Sequence, residues 1–134
     1  MRPTKTILFF VTVLCSTLFL SSCKKDGKGS GNSAQKRLVK YEITGTFSGK
    51  LLIVYNDNVN GNTVLDNVTL PWSKTIQYTS NVLAIGIAAT TSTAGAPGQS
   101  ATLKIYSGGE LVRSSPANTG SVGEISFQGL SFAF

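Results

Sequence analysis

The sequence predicts an antiparallel, immunoglobulin-like β-sandwich of seven or eight strands, and three observations carry that prediction. From Leu38 onward apolar residues alternate with polar ones, the period-two pattern of strands with one face in a core and the other in water. Small clusters of Gly, Asn, Ser and Pro punctuate these runs at short intervals, as turns do. No stretch after Leu38 shows the 3.6-residue period of an amphipathic helix.

The elements follow in order. Val39 to Phe47 places apolar residues or Gly at odd positions and polar ones at even positions, a half-buried strand. Ser48-Gly49 turns the chain into Leu51 to Tyr55, whose continuous apolar run predicts a strand covered on both faces. Asn56 to Asn62 is a loop, and Thr63 to Leu70 a strand ended by Pro71, which has no amide hydrogen to donate. Ser73 to Thr79 and Val82 to Ala89 are strands on either side of the Ser80-Asn81 turn. Thr90 to Gln99 lacks periodicity and is expected to be a surface loop. Ala101 to Tyr106 and Leu111 to Ser115 flank a glycine hairpin, Pro116 to Gly120 turns again, and Ser121 to Phe134 makes one or two strands split near Gly129. Short connections favour antiparallel pairing of consecutive strands.

The 134 residues carry a formal charge of +6, and its distribution decides what that means. Before Leu38 stand Arg2, Lys5, Lys24, Lys25, Lys28, Lys36 and Arg37 against Asp26 alone. After it, Lys40, Lys50, Lys74, Lys104 and Arg113 are matched by Glu42, Asp57, Asp66, Glu110 and Glu124. The domain is neutral, so it lacks the clustered cations that neutralise phosphates, and no nucleic-acid partner is expected.

Met1 to Lys5 is basic, Ile7 to Leu20 is almost unbrokenly apolar, and Leu20-Ser21-Ser22-Cys23 has the form of a lipobox, the processing site of bacterial lipoproteins. Fourteen apolar positions would span roughly 21 Å as a helix at 1.5 Å per residue, short of a hydrocarbon core of about 30 Å. A cleaved signal over residues 1–22 is therefore expected, with Leu20, Ser21 and Ser22 recognised by the peptidase and Cys23 acylated to hold the chain on a membrane. Lys24 to Arg37 is Lys-, Gly- and Ser-rich and is expected to be a flexible tether, so residues 23–37 link the anchor to a domain over residues 38–134. Lys24-Lys25-Asp26 has neither an Asp directly after the cysteine nor an acidic run, which makes the periplasmic face of the outer membrane the expected location.

Catalytic and metal chemistry find little support. With no histidine in the chain, Ser-His-Asp and Cys-His activation and the usual zinc sites are excluded. The acidic residues are scattered, and no cofactor is expected. Asn56-Asp57-Asn58-Val59-Asn60-Gly61 has the offsets of a calcium loop, but Asn replaces the first Asp and Asn67 stands where a bidentate Glu belongs. It is better read as a hairpin loop whose Asn and Gly tolerate left-handed backbone. The terminal Phe132-Ala133-Phe134 does not make a membrane barrel, because the strands are too short and too few residues remain for turns.

Val39-Lys40-Tyr41-Glu42-Ile43-Thr44-Gly45, Ile53-Val54-Tyr55, Leu70-Pro71-Trp72-Ser73-Lys74-Thr75, Lys104-Ile105-Tyr106 and Gly109-Glu110-Leu111-Val112 resemble segments of the small membrane-protein family MmpS. The resemblance covers roughly Leu38 to Ser115 and agrees with a sandwich. It implies an accessory protein of resistance-nodulation-division transporters, acting outside the inner membrane in lipid or siderophore export. The chain departs from the family pattern in its lipobox, where mycobacterial members keep a transmembrane helix, and in lacking their late cysteine pair. The expected function is a non-enzymatic, lipid-anchored envelope protein that binds a protein partner or apolar ligand, with Trp72 as its candidate contact. The alternative for Trp72 is a core residue pinned by Pro71, and the alternative function is a structural or adhesive surface module with no transport role.

Overall fold

A computed structural model describes residues 30–58 and 60–134. The described part begins with a short helix, α1 (Ser30–Lys36), followed by β1 (Leu38–Gly45), β2 (Lys50–Asn56), β3 (Asn62–Val68), β4 (Trp72–Gln77), β5 (Ala84–Thr93), β6 (Ser100–Ser107), β7 (Glu110–Asn118) and β8 (Leu130–Ala133). The strands form two four-stranded sheets, in the orders β4-β1-β6-β7 and β3-β2-β5-β8, and every pairing is antiparallel. This is the antiparallel β-sandwich the periodicity predicts.

The core comes from the two central strands of each sheet. Val39, Tyr41 and Ile43 of β1 and Ala101, Leu103 and Ile105 of β6 face Leu51, Ile53 and Tyr55 of β2 and Ile85, Ile87 and Ala89 of β5. The inward residues also match in register, Tyr41 opposite Ile105 in one sheet and Tyr55 opposite Ile87 in the other. Because side chains alternate across a strand, a slip of one residue would put all of them in water, so burial fixes the register. Phe47, Tyr78, Ile125 and Phe127 plug the core from the connections.

Only β2–β3 and β6–β7 are hairpins between neighbours; the other connections pass from one sheet to the other. Consecutive pairing, expected from the short turns, is thus corrected for most of the chain. The first crossing needs glycine: a Cβ on Gly45 would lie 2.3 Å from the Ser100 carbonyl oxygen, too close for any side chain.

Four further expectations change. β5 continues through Thr90 to Thr93, leaving only Ala94 to Gln99 as the loop, because β2 offers these threonines a ladder from Lys50 to Leu52. β7 runs through Pro116 to Asn118, which is tolerated because β7 is an edge strand with one side unpaired. Leu52 and Val54 are half-buried instead of covered, since β2 has the core on one face only. The segment from Ser121 supplies a single bridge at Ser126 before β8.

Of the basic segment before Leu38, the described residues from Ser30 are held against the domain. Ser30–Lys36 is helical, and Arg37 Nη1 donates to the carbonyls of Thr79 and Val82, both at 2.7 Å. Its guanidinium lies 4.5 Å from the centre of the Phe134 ring. Composition identifies Arg37 as a cation in a polar stretch but gives no sign of carbonyls from a turn some forty residues on.

The one buried polar side-chain pair in the middle of the sandwich is Tyr41 with Tyr78, hydroxyl to hydroxyl at 2.9 Å. Tyr78 in turn donates to the Asn56 carbonyl, so Tyr41 is the donor to Tyr78. Burial, and then the bond it donates to Tyr78, pushes the Tyr41 hydroxyl far above the ordinary tyrosine range; burial also raises Tyr78.

Tyr41→Phe should lower stability by about 1 kcal/mol, the usual net value of a hydrogen bond, as read from urea unfolding. The raised hydroxyls also set an alkaline limit. Unfolded tyrosine ionises near pH 10 while the folded groups stay protonated, so their contribution is complete below about pH 10 and falls as pH rises beyond it. Melting curves against pH should turn down there, and Tyr41→Phe should flatten the fall; an unchanged slope would contradict the assignment.

Candidate functional site

The side of the sandwich formed by the edge strands β3 and β4 is open. β7 packs on β8 at the opposite side, whereas β3 and β4 scarcely touch. The crossing from β3 to β4 passes through a cis Leu70–Pro71 peptide, and Trp72 then begins β4 opposite Ile43. That register aims Trp72 at the interior, but from an edge strand, and it is half-buried. Its ring lies 6.1 Å from that of Tyr55, which lies 5.6 Å from Tyr41. An aromatic row therefore runs from the centre of the core to the open edge, and Trp72 is its outer end.

Beside this row lies a cleft of about 480 Å³ lined by Tyr55, Asp57, Asn60, Thr63, Lys74 and Ile76 among others. Leu65, Val68, Leu70 and Ile76, packed partly against the core, continue its apolar border. Lys74 sits opposite Tyr41, on the inward side of an edge strand, and remains exposed. An inward-facing charge on an edge strand is one way to discourage unwanted pairing. The seam thus joins an apolar wall, one cation and an unpaired strand edge.

The outer face of the other sheet carries a polar cluster. Lys40 and Glu42 of β1 form an ion pair at 2.8 Å, Tyr106 of β6 donates to the same carboxylate at 3.0 Å, and Lys104 approaches it at 3.7 Å. The Lys40 ammonium lies 4.3 Å from the Tyr106 ring centre. The Lys40 bond holds the Glu42 carboxyl below its ordinary value, and Glu42 raises Lys40 in return. These groups are part-exposed on the outer face and screened by solvent, so the cluster fixes side-chain positions more than it adds stability. A smaller, more enclosed depression of about 290 Å³ lies between Leu38, Lys40, Thr75, Tyr106 and Gly109.

The Asn56–Asn62 loop is held by its own bonds and by Asn58, which donates to the Gln77 carbonyl at 2.8 Å and accepts the Thr79 amide at 3.3 Å across the sandwich. Asp57 accepts the Asn60 amide at 2.7 Å and the Thr63 hydroxyl, the Asp57 amide donates to Gly61 at 2.7 Å, and Gly61 has a φ of 73°. Its carboxylate serves as a turn cap, as the hairpin reading expects. Among the described residues no group of three His, Cys, Asp or Glu side chains could hold a metal ion. Leu20, Ser21, Ser22 and Cys23 lie outside the described residues. Sequence reasoning missed the open seam and the Glu42 cluster. Period-two alternation does place Lys40 with Glu42, and Lys104 with Tyr106, on one face each; only the pairing of β1 with β6 shows that the two faces are the same.

Calcium should leave the melting temperature unchanged, whereas Asp57→Ala should cost about 1 to 2 kcal/mol of stability through the lost turn bonds. A calcium-dependent rise, measured by scanning fluorimetry, would reverse the loop assignment.

No curated protein matches the chain closely enough to count as a relative. The sequence pattern of the family described as "Mycobacterium membrane protein" matches residues 10–110, about three quarters of the chain, including β1 to β6 and the apolar run from Phe10. Among the described residues no helix is long and apolar enough to cross a membrane. The match spans the strands that line the open seam and carry the Glu42 cluster, and by it the chain belongs to the Mycobacterium membrane protein family, the MmpS family.

Proposed function

We propose that the chain is a non-enzymatic, lipid-anchored accessory protein of the bacterial envelope that holds a protein partner, a transporter of the resistance-nodulation-division class, at the seam between β3 and β4. The observation that carries this reading is the half-buried Trp72, in tilted contact with the Tyr55 ring at an open edge of the sandwich. A tryptophan held by packing on one side and open on the other contributes large contact area at little entropic cost, the usual character of an interface anchor. The edge of β4 adds unpaired backbone groups that an extended segment of a partner can meet. Leu70 to Thr75, which carries the family resemblance most specifically, forms this edge. Family membership supports a membrane-associated role.

The available chemistry supports binding over catalysis. There is no histidine. Glu42 is engaged by Lys40 and Tyr106, Asp66 by Ser92 and Asn67, and Asp57 by its own loop, so these carboxylates serve structure. Attachment is assigned to Cys23, on the outer membrane and facing the periplasm; two or three acyl chains there give the stable anchoring that one does not.

A photoreactive residue at Lys74 in the full-length protein should crosslink to a transporter of this class in intact cells, and one at Val64 should not. Trp72→Ala should abolish the crosslink while lowering stability by less than about 3 kcal/mol, below the range for fully buried aromatic residues. Trp72→Phe should retain it. Absence of a transporter adduct, together with protease cleavage of the domain on whole cells, would favour the adhesive module. Separately, Cys23→Ser should move the chain from the membrane fraction to the soluble fraction.

A further inference from the structure

One end of the sandwich gathers features that the seam does not use. Leu38, Gln77, Ser107 and Glu110 mark this end in the first sheet and Asn56, Ala84 and Ala133 in the second, by the registers of the strands. Among the described residues five large hydrophobic side chains are exposed: Leu38, Val64, Leu83, Leu111 and Val122. All three leucines are at this end. Leu38 and Leu111 lie on the outer face on either side of Tyr106, where the depression lined by Leu38, Lys40 and Tyr106 opens. Leu83, 77% exposed, sits in the turn before β5, its carbonyl accepting the Phe134 amide.

The same end receives the N-terminal segment. The Ala34 carbonyl accepts Gln77 Nε2 at 3.1 Å, Ser107 donates to the Lys36 carbonyl, and Arg37 is clamped to Thr79 and Val82. Lys36 and Arg37 are here with Lys40, which is already paired with Glu42, against Asp57 and Glu110, and Lys24, Lys25 and Lys28 precede them in the chain. From Cys23 to Ser30 is seven residue steps, at most about 25 Å of extended chain. Strands of eight residues make the sandwich about 26 Å tall. A chain anchored at Cys23 therefore rests on this end with slack, whereas seating the opposite end would need the link pulled to its full length.

We propose that this end of the domain, with Leu38, Leu83 and Leu111 as its apolar contacts and the basic residues around α1 as its polar ones, is a docking face for an anionic lipid bilayer. Apolar side chains enter the headgroup boundary while cations meet anionic headgroups, each too weak alone and sufficient beside a covalent anchor. The domain then stands with β1 and β6 rising from the membrane, the seam facing sideways and Trp72 well above the lipid. The proposal rests on membrane attachment through the N-terminal segment.

The test uses the single native tryptophan. In a Trp72→Phe background of the full-length chain, processed in cells and reconstituted in vesicles of phosphatidylethanolamine and phosphatidylglycerol, Leu83→Trp, Leu111→Trp and, at the opposite end, Val122→Trp are compared. Emission at 83 and 111 should shift to the blue and be quenched by brominated lipid, and emission at 122 should do neither. Leu83→Glu should abolish the quenching at 111 without changing the melting temperature. Equal quenching at all three positions, or none at 83 and 111, overturns the proposal; a second copy of the chain covering the face would give the latter result. Mass spectrometry of the N-terminal peptide reads acylation independently. An acylated Cys23 with unquenched tryptophans leaves the anchor standing and removes the docking face. Quenching at 83 and 111 without acylation supports the face and removes the anchor.

Discussion

The sandwich depends on satisfying one hydroxyl. Tyr41 projects from the central strand of one sheet into a core otherwise filled by aliphatic and aromatic groups, where an unpaired hydroxyl would cost about 1 to 3 kcal/mol. It donates to Tyr78, and Tyr78 donates to the Asn56 carbonyl at the end of β2. This relay joins three otherwise separate parts: β1, the crossing from β4 to β5, and the far sheet. No disulfide assists, since neither cysteine of the chain lies after Cys23, so the relay and the apolar packing around it must set the spacing of the sheets.

The N-terminal attachment follows from the same place. The Tyr78 amide donates to the Arg37 carbonyl at 2.9 Å, so the residue that completes the relay also receives the chain as it enters β1. The Arg37 side chain then satisfies Thr79 and Val82 and packs on Phe134, which itself lies 5.8 Å from Tyr78. A cation that composition assigns to a loose basic link is in fact the joint between link and domain. The direction in which the N-terminal segment leaves the domain is thereby coupled to core packing.

Much of this was legible in the sequence because one physical signal, side-chain alternation, governs both strand formation and burial. Val39, Tyr41 and Ile43, or Ala101, Leu103 and Ile105, announce their inward faces without reference to any partner. What alternation does not carry is which strands are neighbours. Ser48-Gly49 reads as a hairpin turn, yet the chain there changes sheets, a choice made by the burial of Phe47 and the close approach of Gly45 to Ser100. Thr90 to Thr93 reads as loop because its residues are small and polar, and becomes strand because β2 lies alongside. The candidate site divides in the same way. Trp72 could be singled out from its place after Pro71, but its half-burial depends on β4 lying at an edge and on β3 standing away from it, and both are properties of sheet order.

Sheet order also explains how one small domain can offer two separate surfaces. Closure of β7 on β8 leaves the opposite side open, so the seam and the aromatic row reaching it are consequences of where the strands run out. The end that receives α1 is set instead by the direction of β1, which must begin where the link arrives. A surface along the strands and a surface across their ends are perpendicular, and they meet at the Asn56–Asn62 loop, whose Asp57 and Asn60 line the cleft of the seam. The segregation of charge fits that division: the excess cations are in the segment that leads to the end, while the domain, and with it the seam, is formally neutral. On the functions proposed above, long-range attraction to an anionic surface would act on the link, and recognition at the seam would be left to shape, the Trp72 ring and the edge of β4.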